Sequence, residues 1–167
     1  FDIDEDGWGE MLVYERLNES STVYKISLFE ANADNSYTEV WFYQFASADI
    51  ACGERGLMVT DWDNDGFSEI TAVMCTIDGV NNAYVWEWDG TDNGLPSTPT
   101  AQFDIARDTG GVVALENNVQ YLQMDDDANL EMVLTHRGGN STFLQILELS
   151  NSDLDNPVWT VEFTDDW

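Results

Sequence analysis

The sequence predicts an all-β protein built from three consecutive copies of one four-stranded antiparallel unit. The first observation behind this fold class is an acidic, glycine-containing segment that recurs at residues 2–10, 61–69 and 123–131. The glutamates that close these segments are 59 and 62 residues apart. A spacing this regular indicates an internal repeat.

A second marker recurs with the same period, and the residues between the markers have the pattern of strands. An amide or acid followed by Phe occurs at residues 44–45, 102–103 and 162–163, spaced by 58 and 60 residues. Between the markers, β-branched and aromatic residues alternate with polar ones, which is typical of half-buried strands. The repeats are therefore placed at approximately residues 1–55, 56–117 and 118–167.

Each complete repeat is predicted to contain four strands. The strand before the acidic segment lies at 56–61 and 119–125. The strand after it lies at 10–16, 69–77 and 131–136. The next lies at 23–30, 83–88 and 142–149, and the last at 40–45, 100–105 and 158–163. The first repeat lacks the strand that would precede its acidic segment, so eleven strands are expected.

Four short antiparallel strands that cannot bury both faces alone, repeated in tandem, are typical of β-propeller blades stacked through their sheets. A β-sandwich is the alternative, but a sandwich would not require a strict repeat. Three blades do not close a ring, because propellers typically contain four or more. We therefore expect a partial propeller, either part of a larger one or completed by other chains.

The composition excludes some classes of partner. The chain has 33 Asp and Glu against 5 Lys and Arg, a formal net charge of −28. Such a charge repels phosphate backbones and anionic membrane surfaces, so nucleic acid is excluded as a partner. The chain has no run of 18 apolar residues, so no membrane insertion is expected. The acidity is explained by carboxylates that hold cations, by a solvated acidic surface, or by both.

The acidic segments have the pattern D-x-D-x-D-G-x-x-E, which we interpret as a calcium loop. Carboxylates at positions 1, 3, 5 and 9, with a backbone carbonyl at position 7, are hard oxygen ligands that favour calcium, and Gly at position 6 permits the required turn. The alternative is an ordinary hairpin turn, but a turn does not need all four acids. An EF-hand would carry an acid at position 12, where this chain has Val13, Ala72 and Leu134.

On these loops the chain resembles the FG-GAP and VCBS-like repeat propellers, the superfamily that includes the integrin α head, in which similar loops bind calcium between blade strands. In the first loop the resemblance implies Asp2, Asp4, Asp6, the Trp8 carbonyl and Glu10 as ligands. In the second loop it implies Asp61, Asp63, Asp65, the Phe67 carbonyl and Glu69.

The third loop departs from the pattern. Gln123 replaces the first Asp and Ala128 replaces the Gly, which leaves Asp125, Asp127, the Asn129 carbonyl and Glu131 as candidate ligands. A non-glycine residue at positive φ costs about 1 kcal/mol. A weaker calcium site is therefore expected there.

The cysteines, two of the tryptophans and the histidine give less information about function than the acidic loops. Cys52 and Cys75 flank one predicted hairpin, so a disulfide between them and a pair of free thiols are both open. Trp41 and Trp159 occupy equivalent repeat positions, which favours packing between sheets over ligand binding. His136 is the only histidine and has no nucleophile near it in sequence, so no catalytic residue is assigned.

These features predict a non-enzymatic module for protein or glycan binding or adhesion, in which structural calcium fixes the loops. Sites of this class suit the millimolar calcium outside cells, so an extracellular, cell-surface or periplasmic location is expected. The alternative is a structural subunit of an extracellular assembly, with blades completed by neighbouring copies of the chain. A propeller enzyme, such as a polysaccharide lyase, is the third reading.

Overall fold

The computed structural model describes residues 1–17, 23–46, 50–63, 65–76, 81–105, 114–122, 131–138, 141–149 and 159–166, all of them strand, turn or loop. Within these ranges there is no helix, and hence none that could cross a membrane. The described strands form three antiparallel sheets, which we number 1 to 3 in chain order.

The strands follow one another within each sheet as simple hairpins. Sheet 1 consists of β1 (Glu10–Arg16), β2 (Tyr24–Ala33) and β3 (Ser36–Gln44). Sheet 2 consists of β4 (Ile50–Thr60), β5 (Glu69–Thr76), β6 (Asn81–Glu87) and β7 (Ala101–Ile105). Sheet 3 consists of β8 (Ala114–Leu122), β9 (Glu131–Gly138), β10 (Ser141–Leu149) and β11 (Trp159–Asp166). All eleven predicted strands are present, and β1 lies at an edge of its three-stranded sheet.

Some strand boundaries differ from the predicted ones. β4 begins at Ile50 and β8 at Ala114, earlier than the predicted starts at 56 and 119, and both extensions contain register shifts. A β-bulge interrupts the period of two, so the extra residues do not read as strand in the sequence. β3 begins at Ser36 instead of Val40, because Asn35 adopts a φ of 55° and closes a short turn after β2. Asn tolerates this left-handed conformation better than most residues.

Sheet 2 packs against sheet 1 on one face and against sheet 3 on the other. On β5, alternate residues point to opposite faces. Ile70 packs in a core with Ile26 and Trp41 of sheet 1. Val73 packs in a second core with Met132 and Leu147 of sheet 3. Sheet 2 is thus buried on both faces, and β5 and β6 are correspondingly rich in apolar residues.

Aromatic side chains fill the core between sheets 1 and 2. Trp86 on β6 is fully buried and meets Trp41 of β3 edge-on, with ring centroids 5.5 Å apart. Tyr43 lies 4.9 Å and Phe45 6.3 Å from the same Trp86 ring. Trp41 therefore packs between sheets, as its repeat position predicted. These contacts fix sheet 1 relative to sheet 2 and so position the acidic loops described next.

Candidate metal centre

The first loop (residues 2–10) and the second loop (residues 61–69) are folded by the same hydrogen bonds. The Gly7 N–H donates to Asp2 Oδ2 at 3.1 Å, and the Gly66 N–H donates to Asp61 Oδ2 at 3.1 Å. The acid at position 1 thus holds the backbone at position 6 in both loops. This hydrogen bond joins positions 1 and 6 and so closes each loop into a turn.

A second pair of equivalent bonds orders the far side of each loop. The Trp8 N–H donates to Asp6 Oδ1 at 2.7 Å, and the Phe67 N–H donates to Asp65 Oδ1 at 2.8 Å. In each case one oxygen of the position 5 carboxylate is used to hold the backbone at position 7.

The glycine at position 6 is required for its backbone conformation. Gly7 has a φ of +93° and Gly66 a φ of +95°. No described atom lies within 4 Å of where a Cβ would stand at either residue, so steric crowding is not the reason for glycine. The reason is the positive φ, which L side chains disfavour.

The closing glutamate of each loop is buried with one oxygen bonded and one left over. Oε2 of Glu10 accepts the Ile3 N–H at 2.5 Å, and Oε2 of Glu69 accepts the Trp62 N–H at 2.6 Å. Glu10 is 7 % exposed and Glu69 is fully buried, yet no described residue donates a hydrogen bond to Oε1 of either. A buried carboxylate oxygen without a donor is costly. The leftover oxygen in each loop points to a ligand.

The four carboxylates of each loop converge on one point. In each loop, one carboxylate oxygen from each of four residues lies within 4.8 Å of the other three. The four residues are Asp2, Asp4, Asp6 and Glu10 in the first loop, and Asp61, Asp63, Asp65 and Glu69 in the second. This convergence matches a single cation with hard oxygen ligands. The carboxylates of both loops could therefore hold a metal ion.

Burial, together with neighbouring negative charge, raises the pKa of three carboxyl groups in the two loops. Burial is the main cause that raises the pKa of Glu69 to about 8, with further contributions from Asp63, Asp61 and Glu87. Burial also raises the pKa of Glu10, and the charges of the first loop add to it. Burial and the neighbouring Asp65 raise the pKa of Asp63.

The structure shows a second glutamate opposite each closing glutamate, which the sequence pattern did not predict. In each sheet the closing glutamate lies directly opposite another glutamate on the next strand, in the pairs Glu10–Glu30, Glu69–Glu87 and Glu131–Glu148. Like charges in facing positions destabilise a sheet unless something compensates them. These pairs could have been predicted from the sequence, because a glutamate follows each closing glutamate after 17 to 20 residues, on the next predicted strand.

The first loop has a further acidic neighbour from sheet 2. Oxygens of Asp4, Glu30 and Asp92 can also lie within 4.8 Å of one another. Burial and the nearby carboxylates, Asp6 first among them, raise the pKa of Glu30, while a hydrogen bond from Asn93 opposes this rise. The first loop therefore meets the connection between β6 and β7.

Some predicted site residues lie outside the described part of the chain. Asp125, Asp127 and Asn129 of the third loop are among them, so their role as ligands stays a prediction. Glu131 is described, and it is fully buried as Glu69 is. Gly53 pairs with Cys75 across β4 and β5, which puts the backbone of Cys52 at the same end of the hairpin. A disulfide between Cys52 and Cys75 and a pair of free thiols are both consistent with this register.

Comparisons with known proteins give no relative. No protein-family model matches the chain, and neither a curated protein nor a solved structure is similar to it. Assignment of function therefore rests on the loops and the sheets themselves.

Proposed function

We propose that the first and second loops each bind one calcium ion, and that the three sheets are blades of a propeller of the FG-GAP and VCBS-like kind. The observation that carries the calcium proposal is the buried Oε1 of Glu10 and of Glu69, to which no described group donates a hydrogen bond, on two glutamates that each converge with three aspartates. A cation would supply the missing partner and offset the facing glutamates. Face-to-face packing of sheet 2 with both neighbours supports the blade proposal.

The ion has a structural role in this proposal. Each loop is tied to its sheet at both ends, through the closing glutamate and through a backbone bond to the strand opposite. The Ala31 N–H donates to Gly9 O at 3.0 Å, and the Trp88 N–H donates to Ser68 O at 3.1 Å. An ion in the loop would therefore stiffen the end of a hairpin. Such loops suit calcium at extracellular concentration, which supports a location outside the cell.

The biological role we propose is a non-enzymatic module for protein or glycan binding or adhesion, in which calcium fixes the shape of the presented loops. An exposed aromatic residue at the same position of both loops supports it. Trp8 is 48 % exposed and Phe67 is 38 % exposed. Aromatic side chains beside an ordered polar loop are typical of recognition surfaces for proteins and sugars.

Calorimetric titration with calcium, combined with thermal unfolding, tests the proposal. Calcium should bind both loops and raise Tm, since a ligand at 100 times its Kd stabilises the folded state by about 2.7 kcal/mol per site. Asp61→Asn together with Asp63→Asn should remove one site, whereas Glu5→Gln, which changes a loop residue outside the carboxylate set, should remove none. No binding heat and an unchanged Tm on adding calcium would exclude the calcium role.

Binding to a glycan array and to extracellular-matrix proteins, with calcium and after its removal, tests the recognition role. The calcium-loaded protein should bind a defined subset of these ligands, and calcium removal should abolish the binding. Loss of calcium binding in Asp61→Asn/Asp63→Asn with no effect on ligand capture would contradict the idea that the ions shape the recognition surface.

A further inference from the structure

The connection between β6 and β7, residues 88–96, forms an ordered segment that we call the bridging segment. It is folded by its own hydrogen bonds. The Asp89 N–H donates to Gly94 O at 3.1 Å, the Thr91 N–H donates to Asp89 Oδ1 at 3.0 Å, and Trp88 Nε1 donates to Thr91 O at 2.5 Å. These hydrogen bonds close residues 88–94 into one turn.

One end of the bridging segment is held by the second loop. The Phe67 ring, at position 7 of that loop, packs edge-on against Trp88 with centroids 5.6 Å apart. The same ring covers Gly90, where an added Cβ would lie 2.8 Å from Phe67 Cε1. The backbone of Phe67 carries the carbonyl proposed as a calcium ligand. The position of the ring is thus linked to the position of a ligand atom.

The other end of the bridging segment is held by the first loop and by sheet 1. The Asn93 N–H donates to Asp4 Oδ2 at 3.1 Å, across 89 residues of sequence. Trp41 Nε1 of β3 donates to Pro96 O at 3.0 Å, and Leu95 packs against the core between sheets 1 and 2. Asp4 is a proposed ligand of the first ion. Its Oδ2 holds the bridging segment, and its Oδ1 accepts the Asp6 N–H of the first loop at 3.4 Å, so Asp4 joins the two.

We propose that the bridging segment couples the two calcium loops, so that the first and second sites bind calcium cooperatively. This inference rests on the proposed function, because it requires calcium in both loops. An ion in the second loop fixes Phe67 against Trp88, which holds the segment where Asn93 meets Asp4. The first loop then loses less conformational entropy when its own ion binds, so that ion binds more tightly. Coupling of this kind is reciprocal, so each ion raises the affinity of the other site for calcium by the same factor.

A double-mutant cycle measured by calorimetric titration tests the coupling. All proteins in the cycle carry Asp125→Asn and Asp127→Asn, which silence the third loop. Asp2→Asn/Asp6→Asn silences the first loop and Asp61→Asn/Asp65→Asn silences the second. Each Asn retains one acceptor oxygen, which at position 61 replaces the two oxygens that accept the Asp65 and Gly66 N–H groups. Silencing either loop should weaken calcium at the other about fivefold or more, by the same factor in both directions.

Phe67→Ala breaks the link while leaving both sets of carboxylates in place. In this background, silencing one loop should leave the affinity of the other unchanged. Phe42→Ala is the matched control, since Phe42 is also an exposed phenylalanine, 54 % accessible, and lies on β3 outside both loops. It should preserve the full coupling factor.

The outcomes separate this inference from the proposal beneath it. Absence of calcium binding at both loops contradicts the proposed function itself. Calcium binding at both loops with affinities that do not depend on one another overturns the coupling and leaves the calcium sites standing. If the Phe67→Ala variant fails to fold, the coupling is still measured by comparing the calcium affinity of each loop with the other loop intact and with it silenced.

Discussion

Glu69 on β5 lies directly opposite Glu87 on β6, and the same pairing of two glutamates recurs in sheets 1 and 3. Glu69 is fully buried, so its ionisation beside Glu87 would bring two negative charges together where water screens them poorly. Facing like charges are unfavourable in a sheet. The cations that we propose in the first and second loops would offset this repulsion in sheets 1 and 2.

Neutralising the facing glutamate of the first loop is expected to have opposite effects with and without calcium. Glu30→Gln removes a repulsive charge near Asp4, so it should stabilise the calcium-free protein by up to about 1 kcal/mol. It should also weaken calcium binding, because the ion loses a nearby negative charge. Urea unfolding and calorimetric titration measure the two effects. Glu5→Gln makes the same change of charge on an exposed loop residue, and a similar result from both variants would refute a special role for Glu30.

The calcium-free protein is expected to lose stability as the pH rises from about 4.5 to about 8. The pKa of Glu69 is raised from 4.5 to about 8 in the folded protein, so the folded state keeps a proton that the unfolded state has released across this interval. The contribution is fully present below the unfolded pKa and is lost as pH approaches the folded pKa, at about 1.4 kcal/mol per unit of difference. Denaturant unfolding in calcium-stripped buffer at pH 5, 6.5 and 8 measures it.

Glu69→Gln provides the control for this pH dependence, because the amide does not titrate. The variant should lose less stability between pH 5 and pH 8 than the unaltered chain. Equal losses in both proteins would show that Glu69 does not carry the effect. Calcium at saturating concentration should also flatten the profile, since the ion holds the ionised carboxylate.

Replacement of the position 6 glycine is expected to weaken calcium binding through the backbone alone. Gly7→Ala places a side chain at a φ of +93°, at a cost of about 1 kcal/mol, or about fivefold in affinity. Gly9→Ala is the matched control in the same loop, since its Cβ would make only an ordinary contact of 3.6 Å with Phe1 O. Equal calcium affinities for the two variants, by calorimetric titration, would contradict the conformational role of Gly7.

Removal of the central aromatic ring between sheets 1 and 2 is expected to be strongly destabilising. Trp86 is fully buried among Trp41, Tyr43 and Phe45, so Trp86→Ala should cost about 3 to 5 kcal/mol. Chemical denaturation with circular dichroism measures the cost. Phe42→Ala, at an exposed position, should cost far less. A loss below about 1 kcal/mol for Trp86→Ala would show that the two sheets do not depend on this contact.

The sequence by itself determined the strands and the loops, because both are local. Alternation of apolar and polar residues marked all eleven strands, and the spacing of Asp2, Asp4, Asp6 and Glu10 brought four carboxylates together within one turn of chain. Within β4 and β8 the register shifts broke the alternation, so the sequence placed their first residues too late.

Only the tertiary structure decided which groups from distant parts of the chain meet at the loops. Glu30 and Glu87 reach the closing glutamates through the register of a hairpin, which depends on where the intervening turn closes. Asn93 reaches Asp4 because the core between sheets 1 and 2 fixes how those sheets pack. A local pattern encodes ligands that share one turn, whereas contacts across sheets follow from the packing of many side chains together.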